Sequence, residues 1–203
     1  MYAVGLTGGI GCGKSAVADL LVARGAVLVD ADELARQVVV PGGPAYEALV
    51  ARFGPRVVAA DGTIDRPALA AVAFADPAAL ADLNAITHPA IGAAMVARRE
   101  ELAGTDAVVV FAIPLLRPAH RATLGLDAVV VVDCPTEVAV RRLVSQRGMD
   151  EGDAKARVAA QMTREERRKD ADYVVDNSSS RVHLEEEVAR LWAWLELERR
   201  RPG

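Results

Sequence analysis

The chain has 203 residues and a formal charge of −4 at neutral pH, room for one generous domain or a domain with a large insertion, and no basic excess of the kind that nucleic acid attracts. Hydrophobic residues make up 52% but aromatics only 4%, which predicts an aliphatic core. Met1 runs directly into a strand-like segment with no basic leader, and the best apolar run, AVVVFAIPLL, is interrupted by Pro114, so a cytoplasmic protein without membrane, nucleic-acid or obligatory protein partners is expected.

Taken in order, the first predicted element is a strand over Tyr2–Thr7. It is followed by the stretch GLTGGIGCGKSAV, residues 5–17, and then by a helical pattern over Lys14–Arg24. Gly8 to Ser15 satisfies G-x-x-x-x-G-K-[ST] with a strand before and a helix after, the context a phosphate-binding loop requires. Small residues let backbone N–H groups turn inward around phosphate oxygens, and the helix adds its unpaired first-turn donors. Lys14 supplies a mobile charge to the β- and γ-phosphates, and the Ser15 hydroxyl is placed for Mg²⁺. The triphosphate site therefore comprises Gly8, Gly9, Gly11, Cys12, Gly13, Lys14, Ser15 and Ala16. A dinucleotide fingerprint would lack the Gly-Lys-Ser ending.

The second strand, Ala26–Asp30, leads into Asp30 and Asp32 at the edge where open α/β sheets bind ligands. A carboxylate there can accept a proton from a substrate hydroxyl or order a magnesium-bound water; an N-cap is the alternative for either, and Asp30 suits it better. Residues 32–104 read as a helical insertion punctuated by PGGP, ADG, Pro77 and Pro89. Three more strands follow, Ala107–Ile113, Ala128–Asp133 and Tyr173–Val175. Their continuous apolar character fits a parallel sheet covered on both faces. No carboxylate follows the third of the five, which counts against a GTPase switch or motor; Asp133 is read as the start of a turn. Thr136–Arg147 is helical, the highly charged residues 141–170 form a helical lid, and Leu184–Leu197 closes the chain with both tryptophans as core anchors. The core is thus about 1–31, 105–140 and 171–203. Cys12 and Cys134 have neither zinc-like nor disulfide-framework spacing.

With these segments in place, the chain resembles the dephospho-CoA kinase family from end to end. GLTGGIGCGKS, DADELARQVV, ADGTIDRPAL, LNAITHP, IPLL, VVVVDCPTEVAVRRL, QRG, AAQM and ADYVVDNSS occur in the family's order. The resemblance implies an α/β P-loop NTPase fold, with a five-stranded parallel sheet flanked by helices, a helical substrate-binding insertion and a helical lid. It also implies ATP and Mg²⁺, and transfer of the γ-phosphoryl group to the ribose 3′-hydroxyl of dephospho-CoA. By the same resemblance Asp32 is the base or orienter of the acceptor hydroxyl, and Arg142 and Arg147 approach the nucleotide from the lid helix, Arg147 in a catalytic role. Asn177 takes the adenine-side turn and His88 a substrate contact. A surface arginine, an Asx turn and a helix-end or core histidine remain open for these positions. Cys12 stands where serine is usual, and its backbone N–H is expected to serve all the same; Arg117 stands near a position that is commonly acidic. A nucleoside monophosphate kinase differs only in its acceptor.

Overall fold

The computed structural model describes residues 1–201. Five strands form one sheet in the order β2-β3-β1-β4-β5, with β1 at Tyr2–Gly8, β2 at Val27–Asp30, β3 at Val108–Ala112, β4 at Ala128–Asp133 and β5 at Tyr173–Asp176. β1 lies parallel to β3 (Tyr2 beside Val108) and to β4 (Val4 beside Ala128), and β4 is parallel to β5. β3 and β4 are buried at every residue, as the unbroken valine runs require when helices cover both faces.

Two compact units divide the chain. The first, Met1–Val29 with Glu101–Gly203, contains the sheet, and the second is Asp30–Glu100. In the first unit, α1 (Lys14–Val22) and α10 (Arg181–Glu198) supply much of the cover. Leu184, Val188, Leu191 and Leu195 recur at helical spacing along α10 and join Val17, Leu21, Val4, Leu6, Val130 and Val132 in one cluster. Fully burying each such side chain contributes about 1.5–3 kcal/mol. Trp192 and Trp194 pack against this cluster, and the Trp194 ring lies 5.2 Å from that of Tyr173. The tryptophans are core anchors, as expected.

The second unit contains α2 (Ala31–Gln37), α3 (Tyr46–Phe53), α4 (Arg66–Ala75) and most of α5 (Pro77–Leu102). Leu49, Phe53, Val57, Ile64 and Leu69 centre its own apolar cluster. Two features depart from a helical insertion broken at each proline. ADG (60–62) turns the chain back so that Val58 and Ile64 form an isolated antiparallel bridge. Pro89 does not end a helix: α5 runs through it for 26 residues. A mid-helix proline frees the carbonyl four residues earlier, here that of the exposed Ala85, where water can satisfy it.

Beyond β3, the short α6 (Pro118–Leu124) was not anticipated; His120 Nδ1 accepts from the Arg117 N–H at 2.9 Å and fixes its first turn. The charged stretch 141–170 is helical, as expected, but α7 (Thr136–Arg147) crosses its boundary without a break and is followed by α8 (Glu151–Ala159) and α9 (Arg164–Lys169). Val140 and Leu143 of α7 pack with Ala154 of α8 and with Ile10 of the glycine loop.

Candidate active site

Residues 9–13 form the turn between β1 and α1. Gly11 has φ +77° and Gly13 φ +90°, a region that disfavours any residue with a side chain. A Cβ on Gly13 would also lie 2.3 Å from Asn177 Nδ2, and one on Gly11 2.8 Å from the Ala139 carbonyl oxygen. The backbone is bare here because it is enclosed by β5 and α7 as well as bent. Lys14 and Ser15 are the first two residues of α1, Ser15 exposed and Lys14 half-buried. The first intrahelical donor is Val17, bonded to Gly13 O at 3.2 Å. The N–H groups of Lys14, Ser15 and Ala16 thus have no helical partner, and they form an anion-binding terminus. The N–H of Cys12 is different: it donates to Gly9 O at 3.0 Å, in a tight turn inside the loop.

One flank of the loop is held by Asn177, only 5% exposed. Its Nδ2 donates to the Cys12 carbonyl at 2.8 Å, its Oδ1 accepts from Arg142 Nη2 at 3.3 Å, and its backbone N–H donates to Asp133 O at 2.8 Å. Both ends of the amide are engaged within the protein, a tighter role than an Asx turn. Arg142 Nη1 is buried without a hydrogen-bond partner, a state that costs about 1–3 kcal/mol or more and that an incoming acceptor would relieve. Arg142, Arg147, Asn177, Gly11, Gly13 and Ala16 line one cleft of about 400 Å³. The structure therefore brings together these six expected residues, with Arg147 exposed at the end of α7.

The other flank is built from residues that the sequence reading did not place in the site. Asp133, 4% exposed at the end of β4, accepts both prongs of Arg164, Nε at 3.0 Å and Nη2 at 2.7 Å, with Arg168 3.7 Å away. The pair raises the Arg164 pKa above its ordinary value, chiefly through the hydrogen bonds to Asp133. It fixes α9 on the sheet edge, and Arg167 on the same helix lies over the loop, where a Cβ on Gly9 would be 2.6 Å from its Nη1. Gln161 Oε1 accepts from the Ile10 N–H at 2.9 Å. Asp133 thus ties α9 to the end of β4. Parallel register explains the meeting: Gly8 is aligned with Val132, so the loop after β1 emerges beside Asp133 and Cys134.

Cys12 and Cys134 meet in this corner. Both are buried, and Cys134 Sγ donates to Cys12 Sγ at 3.0 Å. That bond, opposed by burial and helped by the Arg167 charge, lowers the Cys12 pKa to about 7. Cys134 is pushed the other way by its hydrogen bond to Cys12 and by burial.

In the second unit, Asp30 caps α2, its Oδ1 accepting from the Asp32 N–H at 2.8 Å. Asp32 is exposed in the first turn of α2, with its carboxylate free of the capping role. His88 is exposed on α5, within the helix and outside the core. Among the described residues no cluster of three or more His, Cys, Asp or Glu could hold a metal ion by itself. A metal bound through one hydroxyl and substrate phosphates needs no such cluster, and Ser15 at the head of α1 fits that donor set.

The family model described as dephospho-CoA kinase (CoaE) matches residues 2–183. A dephospho-CoA kinase of Streptomyces avermitilis is 52% identical over all of this chain and 98% of its own length. A solved Thermus thermophilus protein superposes with a TM-score of 0.75 at 36% identity, over 96% of this chain and 97% of that one. A dephospho-CoA kinase from Campylobacter jejuni gives a TM-score of 0.70 at 25% identity, over the same shares of the two chains.

Proposed function

The chain belongs to the dephospho-CoA kinase family, and from that membership we infer that it is an ATP-dependent kinase whose acceptor is the ribose 3′-hydroxyl of dephospho-CoA. The observation that carries the phosphoryl-transfer part is the glycine turn between β1 and α1, with the cleft of Arg142, Arg147 and Asn177 beside it. ATP lies with its phosphates on the N–H groups that open α1. Arg142 Nη1 and Arg147 face its nucleoside side.

Phosphoryl transfer requires little covalent chemistry from the protein and much positioning and charge neutralisation. Lys14 follows the β- and γ-phosphates as charge builds on the transferring group. Arg167, over Gly9, brings a second positive charge to that end of the loop, and Asp133 with Arg164 keeps it there. Asp32 receives or orients the proton of the acceptor hydroxyl, and His88 contacts the acceptor. Ser15 would hold Mg²⁺, which would neutralise phosphate charge. The reaction runs in the cytoplasm; among the described residues no helix is long and apolar enough to cross a membrane.

The test is the purified protein with ATP and Mg²⁺, offered dephospho-CoA beside AMP, CMP, GMP and shikimate. ADP release coupled to CoA formation is expected with dephospho-CoA alone. Comparable turnover of a nucleoside monophosphate contradicts the assignment.

A further inference from the structure

The chain has two cysteines, 122 positions apart, and the fold places their sulfurs 3.0 Å from each other against the phosphate loop. We propose that Cys12 and Cys134 are a reversible oxidation site, whose disulfide draws the loop out of its phosphate-binding geometry and switches the kinase off. The inference rests on the loop's role in binding ATP.

Three observations carry it. A disulfide has sulfurs about 2.05 Å apart, so the pair must close by only about 1 Å. Both cysteines, though buried, border a cleft of about 410 Å³ together with Gly9, Thr136 and Arg164, so a small oxidant in that cleft comes up against the pair. Arg167 Nη1 and Cys12 Sγ both face the bare Gly9, which puts a guanidinium beside Cys12 and makes it the sulfur that carries the anion. Its place beside the N-terminus of α1 favours that charge.

The oxidant is a peroxide. The Cys12 thiolate attacks one peroxide oxygen, the O–O bond breaks, and hydroxide leaves, becoming water with the proton that Cys12 had released to solvent on ionising; a sulfenic acid remains on Cys12. Cys134 then attacks the Cys12 sulfur, and the sulfenic hydroxyl departs as a second water, taking the proton that Cys134 carried. Two thiols give up two electrons and one peroxide is reduced to two waters.

The closure falls on the loop. Cys134 is followed by Pro135 at the head of α7, and Asp133 before it is tied by its carbonyl to the Asn177 N–H. Cys12 is held at its N–H by Gly9 and at its carbonyl by Asn177, and Gly11 rests against the Ala139 backbone. A displacement of Cys12 therefore passes to Gly13, Lys14 and Ser15. Misplacement of about 1 Å in a reacting site can cost on the order of 10²-fold in rate.

The experiment treats the reduced full-length protein with near-stoichiometric hydrogen peroxide. It reads non-reducing peptide maps, binding of a fluorescent ATP analogue, and kinase activity, before and after a thiol reductant. The expected result is a linked Cys12–Cys134 peptide, at least a tenfold loss of activity and weakened nucleotide binding, all restored by reductant. Cys134→Ser and Cys134→Ala keep basal activity and give no reductant-reversible loss. Absence of the linked peptide overturns the proposal. So does a linked protein with full activity and binding, or a Cys134 variant that is inactivated and rescued as the wild type is. Failure of the reduced enzyme to phosphorylate dephospho-CoA counts against the assigned reaction instead, and the peptide map and nucleotide binding still decide the switch.

Discussion

The two flanks of the phosphate loop are held by different chemistry. On the β5 side, a neutral, buried amide ties Cys12 to the end of β5, with Asn177 bonded to backbone at both its amide nitrogens. On the α9 side, the ties are ionic and half-open to solvent. Asp133 is buried, but the Arg164 side chain keeps 35% exposure and that of Arg168 keeps 52%. A buried neutral clamp is insensitive to salt, whereas exposed charge pairs are screened and loosen as ions or substrate phosphates compete for the arginines. The loop therefore has a fixed tie toward β5 and an exchangeable one toward α9. The arrangement also locates the reactive cysteines at the boundary between the fixed and the exchangeable side.

Substitutions can break this contrast, the largest effect coming from the residue both flanks serve. Lys14→Ala removes the charge that grows in importance at the transition state, so turnover should fall on the order of 10²–10³-fold, more than ATP affinity falls. Near-normal kcat in that variant would mean the loop does not hold phosphates as described. Asp32→Asn should lower kcat by about 10²-fold, the lower end for general-base assistance, because a loose transition state asks little of a base. Nucleotide binding should stay unchanged. Asp30→Ala, which removes the α2 cap, should cost about 1 kcal/mol and leave turnover largely intact. If the aspartate variants behave the other way round in folded protein, their roles are exchanged.

The flanks themselves separate in a stability assay. Asn177→Ala strands the Cys12 carbonyl and loosens Arg142, and should cost about 1–3 kcal/mol, with little dependence on ionic strength in chemical denaturation. Asp133→Asn breaks the ion pair with Arg164 and should cost about the same or somewhat less after screening at the exposed guanidinium, but its deficit relative to wild type should shrink as salt is raised. Equal salt responses for the two variants would erase the distinction. The smallest signal is spectroscopic. Thiolate absorbance in the reduced protein should show one group titrating with a midpoint near 7, from Cys12, and no second one up to about pH 10, because Cys134 is shifted upward. Two thiolates appearing together in the ordinary cysteine range would contradict the hydrogen-bonded pair.

Much of the fold could be read directly because the strands are unbroken β-branched runs. Ala128–Asp133 is read to the residue, and the other four strands differ by only a residue at one or both ends. The loop was equally legible, since its glycines, lysine and serine are consecutive. What could not be read depends on strand order and register. Nothing in the spacing of Cys12 and Cys134, or of Asp133 and Arg164, says that they touch; that follows from β4 lying beside β1 with Val132 aligned to Gly8. Arg164 and Arg167 were hidden for a different reason. In TREERRKD every position is charged or polar, so periodicity carries no signal about which arginine turns toward the loop. Pro89 misled because a proline is read as a stop, while an exposed carbonyl four residues earlier lets a long helix continue.

The central claim is that this chain moves a phosphoryl group from ATP to a sugar hydroxyl of dephospho-CoA. ³¹P NMR of the reaction mixture tests it most directly. The expected spectrum gains one phosphomonoester resonance, coupled to the ribose 3′ proton, in step with the β-phosphate signal of ADP. Consumption of ATP that yields inorganic phosphate and no new phosphomonoester, or a phosphoester at any other position, would contradict it.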